Sequence, residues 1–232
     1  MKTIGMIGGM SWESSLEYYR IVNECVQIRL GGVHSARCVM VSVDFAEVEE
    51  MQRKGRWDDA TAVMVAAAQQ VEAGGADCVV ICTNTMHKMA GEVAQAVRIP
   101  LLHIADATAK QVCARNLRRV GLLGTRFTME EDFYKGRLTE KFGLEVLIPD
   151  AKERDAVHRV IYDELVVGKI NPESKERYVE IIRALVDRGA EGIILGCTEI
   201  GLLVKAEDCA VPVFDTTPIH AEAAVEFALQ AG

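Results

Sequence analysis

The side chains best suited to chemistry fall in two short segments, Thr83-Asn84-Thr85-Met86-His87 and Gly196-Cys197-Thr198-Glu199. A thiol such as Cys197 has an ordinary pKa of roughly 8.5, so it can give or take a proton near neutral pH. A helix N-terminus beside it would lower that value. The alcohol of Thr83 does not ionise usefully in the same range. Short polar residues such as Asn84, Thr85, Thr198 and Glu199 can cap a following helix, leaving amides open to an anionic ligand.

Each segment follows a continuous apolar run, Cys78–Cys82 in one case and Gly192–Leu195 in the other. Thr3–Ile7, Cys38–Val43 and Val120–Leu123 have the same character. Unbroken apolar runs separated by helical patterns predict parallel strands covered on both faces. The helical signals are specific. Asn171-Pro172-Glu173 reads as an N-cap, a proline at the first helical position and an acid in the first turn. Tyr178, Ile181, Ile182, Leu185 and Val186 then recur at helical spacing, and Arg188-Gly189 supplies a stop. An alanine-rich stretch from Ala60 to Ala73 ends at Gly74-Gly75.

The chain also repeats itself. Residues 75–83 align with residues 189–197 at a constant offset of 114, which places Thr83 on Cys197. Ile4–Gly9 resembles Val120–Thr125, and Ile99–Leu102 resembles Val211–Phe214, with the offset drifting by two residues at each outer match. Two similar α/β halves often pack about a pseudo-two-fold axis, and open parallel sheets bind ligands beyond the carboxyl ends of their strands. The expected architecture is therefore two similar parallel-sheet α/β domains with pseudo-two-fold symmetry and an active site in the cleft between them.

Composition narrows the classes. The 232 residues are half hydrophobic and carry a net charge of −8, from 26 basic and 34 acidic side chains. No long basic run is present, which argues against nucleic acid as a partner. No apolar run reaches the ~18 residues of a membrane span, and the N-terminus lacks a signal-peptide pattern, so a cytoplasmic protein is expected. The seven cysteines show no CxxC spacing, so neither a disulfide framework nor a zinc site is indicated. Cys25, Cys38, Cys78, Cys113 and Cys209 read as small buried apolar residues.

With its two motifs at repeat-equivalent positions, the sequence resembles the aspartate/glutamate racemases that work without pyridoxal phosphate. Their signature is Cys-Asn-Thr-x-His in the first half and Gly-Cys-Thr-Glu in the second. The likeness extends to Gly8-Gly9-Met10 and Gly124-Thr125 and covers nearly the whole chain. It is closer still to an enterobacterial subgroup with acidic or broad amino-acid substrates. The resemblance implies racemisation of a small amino acid, aspartate or glutamate foremost, with no cofactor and no metal. It also implies a homodimer, and a last segment from about residue 210 that returns to the first domain. The domains would then be 1–100 with 210–232, and 101–209.

Racemisation takes the Cα proton from one face and returns one to the other, so it needs an acid/base group on each side. Cys197 fits that role. Thr83 stands where the family has cysteine, and three readings stay open. Thr83 relays a proton through its hydroxyl or a water; or Cys82 takes over, although adjacent strand residues point to opposite faces; or the protein binds an amino acid without racemising it. The resemblance favours the first, because a threonine–cysteine pair in the closer subgroup accompanies preference for L-acidic amino acids. Asn84, Thr85 and Thr198 would hold the substrate's carboxylate or ammonium group.

The remaining candidates each carry two readings. Backbone amides at Gly9 and Met10 can hold a carboxylate; full GxGxxG spacing is missing and Asp44 lies too far along for a dinucleotide site. Gln52, beside Arg53 and Lys54, reads either as a contact to an acidic side chain or as part of a solvated charged loop. Lys169 reads as a carboxylate contact by resemblance, or as a surface lysine. Thr125 and Thr128 flank a strand end and can hydrogen-bond substrate. His87 orients its turn or transfers protons, His103 reads as a satisfied core or cleft residue, and His34, His158 and His220 lack metal-ligand spacing. Glu199 would disfavour a thiolate next to it, so its carboxylate reads either as pointing away to serve the helix start or as taking a direct part in the chemistry. The rival functions are a hydantoin racemase or maleate isomerase, and a non-catalytic binder of acidic amino acids.

Overall fold

The computed structural model describes residues 1–230, which form two compact α/β units. One comprises Met1–His103 and the chain from His220 onward; the other comprises Ile104–Ile219.

In the first unit β1 (Ile4–Gly8), β2 (Cys38–Ser42) and β3 (Cys78–Ile81) form a parallel sheet in the order β2-β1-β3. Helices α1 (Trp12–Leu30), α2 (Phe45–Arg53), α3 (Trp57–Ala73) and α4 (Ala90–Ala96) connect and follow these strands. Strands β1 and β3 are buried along their whole length, which is why they read as unbroken apolar runs. Alternate residues feed different cores. Ile7, Val79 and Ile81 join one with α3, whereas Ile4, Met6, Cys78, Val80 and Cys82 join another with Tyr18, Val22 and Ala224.

The second unit repeats the plan. Strands β4 (Arg119–Gly124), β5 (Glu145–Leu147), β6 (Gly192–Gly196) and β7 (Val213–Asp215) form a parallel sheet ordered β5-β4-β6-β7. Its helices are α5 (Ile104–Ala114), α6 (Arg126–Glu130), α7 (Asp132–Phe142), α8 (Ala151–Asp163), α9 (Pro172–Asp187) and α10 (Ile200–Leu203); α11 (Thr216–Leu229) closes the chain. Registers match across the repeat. Ile4 pairs Cys78 in the first sheet as Val120 pairs Gly192 in the second. Leu101 forms a single parallel bridge to Val79, where Val213 in the full strand β7 pairs Ile193. Helices α3 and α9 both run into glycines at left-handed φ, Gly75 at 88° and Gly189 at 95°. A β-carbon is strained there, so both helices stop two residues before the next strand's entry turn.

The expected N-cap of α9 is present: Asn171 accepts from the Glu173 amide at 3.0 Å, with Pro172 at the first helical position. Two strands, β5 and β7, lie outside the strand expectations. The placement of residues 210–219 differs as well. They were expected with the first half, but β7 hydrogen-bonds to β6, and the chain re-enters the first unit at His220, inside α11. Cys113 is exposed rather than buried, being on the outer face of α5.

Candidate functional site

Thr83 sits two residues beyond β3 and Cys197 immediately beyond β6, and both are nearly enclosed, at 9% and 6% exposure. Parity places them alike. Thr83 continues the face carrying Val79 and Ile81, and Cys197 the face carrying Ile193 and Leu195. Cys82 lies on the opposite face, fully buried against Ile4, Met6 and Val80. Burial alone pushes its thiol far up, as expected for a sulfur surrounded by apolar side chains.

At the first strand end Asn84 opens a short 3-10 turn, Thr85–Met89, without a side-chain cap. His87 folds back so that Nδ1 lies 2.7 Å from the Thr83 carbonyl oxygen. A carbonyl only accepts, so Nδ1 carries the hydrogen. The His87 ring lies 4.5 Å from that of His103 and 5.7 Å from that of His220. His220 is fully buried; its Nε2 donates to the Leu102 carbonyl at 2.7 Å, and its Nδ1 accepts from the Tyr18 hydroxyl at 2.9 Å. Burial holds its pKa down to about 4, only partly offset by the Leu102 bond. The Thr83 turn thus packs beside three imidazole rings, and the carbonyl partners of His87 and His220 fix which of their nitrogens carries a hydrogen.

The flanking candidates fall into place with two corrections. The Gly9 amide, expected to be open to an anion, donates to Ser15 Oγ at 2.8 Å because the first turn of α1 brings that hydroxyl back. The Met10 side chain is packed into the core with Val48 and Met86. Gln52 is in no solvated loop. It is the penultimate residue of α2, 5% exposed, with Nε2 3.1 Å from Met86 Sδ, whereas Arg53 and Lys54 face solvent. Asn84 and Thr85 are buried beside Thr83.

The second strand end is acidic. Cys197 Sγ donates to Glu199 Oε2 at 2.9 Å, and Thr198 Oγ1 donates to the same oxygen at 3.0 Å. Glu199 is 2% exposed. Of the two readings of its carboxylate, service to the helix start does not hold: it makes no cap to α10 and engages the thiol instead. The thiol tolerates it because a neutral S–H bridges rather than repels a carboxylate. Burial, then the Glu199 charge and hydrogen bond, then Asp215, hold the Cys197 pKa well above its ordinary value. Asp215 lies so close over Gly201 that a β-carbon there would overlap its carboxylate. Sequence reading missed Asp215; its place directly after the second repeat of the Ile99–Leu102 pattern was the available signal.

Thr125 caps α6, accepting from the Thr128 amide at 3.3 Å, with the two hydroxyls 3.2 Å apart. Both residues are buried. Lys169 is exposed in the turn after a short 3-10 helix, its amide bonded to the Glu164 carbonyl at 2.9 Å. Among the described residues, no group of three or more His, Cys, Asp or Glu is arranged to hold a metal ion, and no helix is long and apolar enough to cross a membrane.

Each of the two parallel α/β units carries polar side chains just beyond a strand, Thr83 after β3 and Cys197 after β6, the arrangement of a two-unit α/β protein with strand-end chemistry. The Asp/Glu/hydantoin racemase family matches residues 7–224, and the chain belongs to that family. A Yersinia pestis structure, whose Asp/Glu racemase assignment is itself provisional, shares 53% identity and a TM-score of 0.92, covering 99% of this chain and 100% of that one. An aspartate racemase homologue from Pyrococcus horikoshii OT3 shares 35% identity at TM-score 0.85, again over 99% and 100% of the two chains. The broad specificity amino-acid racemase RacX of Bacillus subtilis is 22% identical over 171 residues, 72% of each chain.

Proposed function

We propose that this protein moves the Cα proton of a free amino acid, aspartate or glutamate foremost, with Cys197 as the acid/base group on one face and Thr83 serving the other. The observation that carries this reading is the Cys197 thiol, at a strand end and hydrogen-bonded to a buried carboxylate. A binder has no need of an ionisable thiol paired in that way. Cys197 as thiolate takes the Cα proton, leaving the electron pair delocalised into the substrate carboxylate. Reprotonation on the opposite face completes inversion. Thr83 has no accessible ionisation of its own, so its hydroxyl passes a proton from a water molecule rather than storing one. The consequence is unequal handling of the two enantiomers. Substrate polar groups meet Asn84, Thr85 and Thr198, with Gln52, Thr125, Thr128 and Lys169 as further contacts. Neither a metal nor pyridoxal phosphate takes part, and the protein acts as a cytoplasmic homodimer. Seven free cysteines suit a reducing compartment.

The test is proton NMR of L- and D-aspartate and L- and D-glutamate in D₂O with the protein. Loss of the Cα proton signal that depends on Cys197 is the expected result. Because broad substrate range occurs in the family, the panel extends to neutral amino acids and hydantoins. Absence of exchange throughout, with ligand-induced stabilisation retained, would replace this reading with a binding protein.

A further inference from the structure

We propose that His158 is a positioning residue for the second unit's strand ends: its imidazole latches α6 in place, and with it Thr125, Thr128 and the packing beside Cys197, and it lets go when protonated. The inference rests on the reading of Thr125, Thr128 and Cys197 as substrate-facing groups.

The latch joins two helices. The first amides of a helix have no partner within it. In α6 the Thr125 hydroxyl accepts from the Thr128 amide, and His158 Nδ1 of α8 accepts from the Arg126 amide at 3.2 Å. An amide only donates, so Nδ1 is the bare nitrogen and the ring hydrogen sits on Nε2. Helix α8 holds α6 at two further points. The Arg126 guanidinium donates to Asp155 Oδ1 at 2.6 Å, and that of Arg154 to Glu130 Oε1 at 2.7 Å. Asp155 and His158, and Arg154 and His158, are spaced three and four residues apart, so all three share one side of α8. Val157 and Ile161 anchor the same helix in the core with Met129. The His158 ring is half-buried, edge-on to Phe127 at 6.1 Å and tilted against Tyr162 at 4.7 Å.

Thr128 carries the effect to the thiol's strand end. Its side chain lies over Gly124 and Gly196, so closely that a β-carbon at Gly196 would stand 3.2 Å from Thr128 Cγ2. Gly196 directly precedes Cys197. A shift of α6 therefore moves both threonine hydroxyls and loosens the packing against the backbone that presents the thiol.

Protonation is the release. An imidazolium has two N–H groups and no lone pair to take an amide hydrogen, and it places a second positive charge beside Arg126. The charged groups facing the ring are Arg126 and Glu130 from α6, with Asp155 and Asp163 from α8 itself. Burial, then Arg126, hold the His158 pKa below its ordinary value of 6.5, against the pull of the three carboxylates. The latch is closed at neutral pH and opens on the acid side of that value.

The test uses the full chain and separates substrate hold from turnover. His158→Asn keeps an acceptor near the place of Nδ1 but does not titrate. His158→Leu fills the space and accepts nothing. KM and kcat for Cα exchange of L-aspartate are measured by NMR at pH 8 and pH 5, and the Arg126 amide signal is followed over the same range. At pH 8 the leucine variant should show a KM raised about fivefold, the size of one net hydrogen bond, with kcat within about twofold. The asparagine variant should restore that KM. On acidification the wild-type KM should climb toward the leucine value while both variants stay flat, and the wild-type Arg126 amide should titrate with a midpoint below 6.5. An unchanged KM in the leucine variant would overturn the proposal. So would an asparagine variant that loses hold with acid as the wild type does, or an Arg126 amide indifferent to pH. Should the leucine variant not fold, the asparagine variant and the amide titration decide. A wild-type protein that exchanges no amino acid sinks the racemase reading instead, and the Arg126 amide still decides whether His158 holds α6.

Discussion

The two strand ends occupy equivalent places in a repeated sheet yet are supported in opposite ways. Beyond β3, the His87 ring bonds back to the Thr83 carbonyl and packs against His103 and His220, and His220 bonds Tyr18 and the Leu102 carbonyl. Beyond β6, the Cys197 thiol donates to the buried Glu199 carboxylate. The same backbone geometry thus carries a hydroxyl at one end and a thiol beside a carboxylate at the other. What differs between the two ends is the strand-end side chain and its first contacts, not the sheet that presents it.

The comparison is broken most completely by Cys197→Ala. If the thiol end is the sole source of a base, Cα exchange should fall by at least about 1,000-fold. The fold should persist, since the change removes only one sulfur atom from the core around Ile200 and Leu203. Residual exchange near the wild-type level, measured by NMR in D₂O, would move the base elsewhere.

Thr83→Cys runs the comparison in the other direction. It gives the hydroxyl end a thiol at the repeat-equivalent position, at little steric cost. Exchange from the disfavoured enantiomer should rise about tenfold or more relative to the favoured one. An unchanged ratio of D- to L-substrate rates would mean that the histidine-supported turn cannot ionise a thiol.

How much of this was readable beforehand depends on how local the signal was. The apolar runs, the α9 cap and the Thr83–Cys197 equivalence were legible because each depends on a few contiguous residues. β5 and β7 were not: each has three residues, too few for any period to register. The boundary near residue 210 was misplaced for the same reason. The Gly9 amide and Gln52 depend on which side chain folds back onto them, Ser15 and Met86 respectively, and spacing does not encode that. Glu199 is the instructive case. Charge reasoning treated the thiol as a thiolate and left the carboxylate between two readings, whereas the protonated thiol makes the two compatible.

The hydroxyl end has its own pH signature, in stability rather than rate. His220 titrates near 6.5 in an unfolded chain and at about 4 in the fold. Between those values the unfolded state binds more protons, so stability falls as pH falls. Nothing is lost above pH 6.5, and the loss reaches ~3 kcal/mol at and below pH 4. His220→Gln can still donate to Leu102 and accept from Tyr18 but does not titrate. Urea unfolding at pH 7 and pH 4.5 should show a flatter dependence in the variant, while carboxylates common to both proteins cancel. Equal slopes would mean that His220 is not the buried titrating ring.

Cys82→Ala is the smallest and most discriminating change, because it tests whether proximity in sequence to Thr83 means anything chemically. Cys82 lies on the opposite face from Thr83, packed with Ile4, Met6 and Ala221, with its sulfur 3.9 Å from the Val80 carbonyl. Its thiol is driven far up by burial, so it is not poised to act as a base near neutral pH. Truncation removes one buried sulfur and should cost about 1 kcal/mol in urea unfolding. The exchange rate should stay within about twofold of wild type once the protein is folded. A variant that kept its stability and lost exchange would invert the argument. It would place a working base on the face assigned to the core, and would require the first strand end to rotate its side chains by one residue before chemistry.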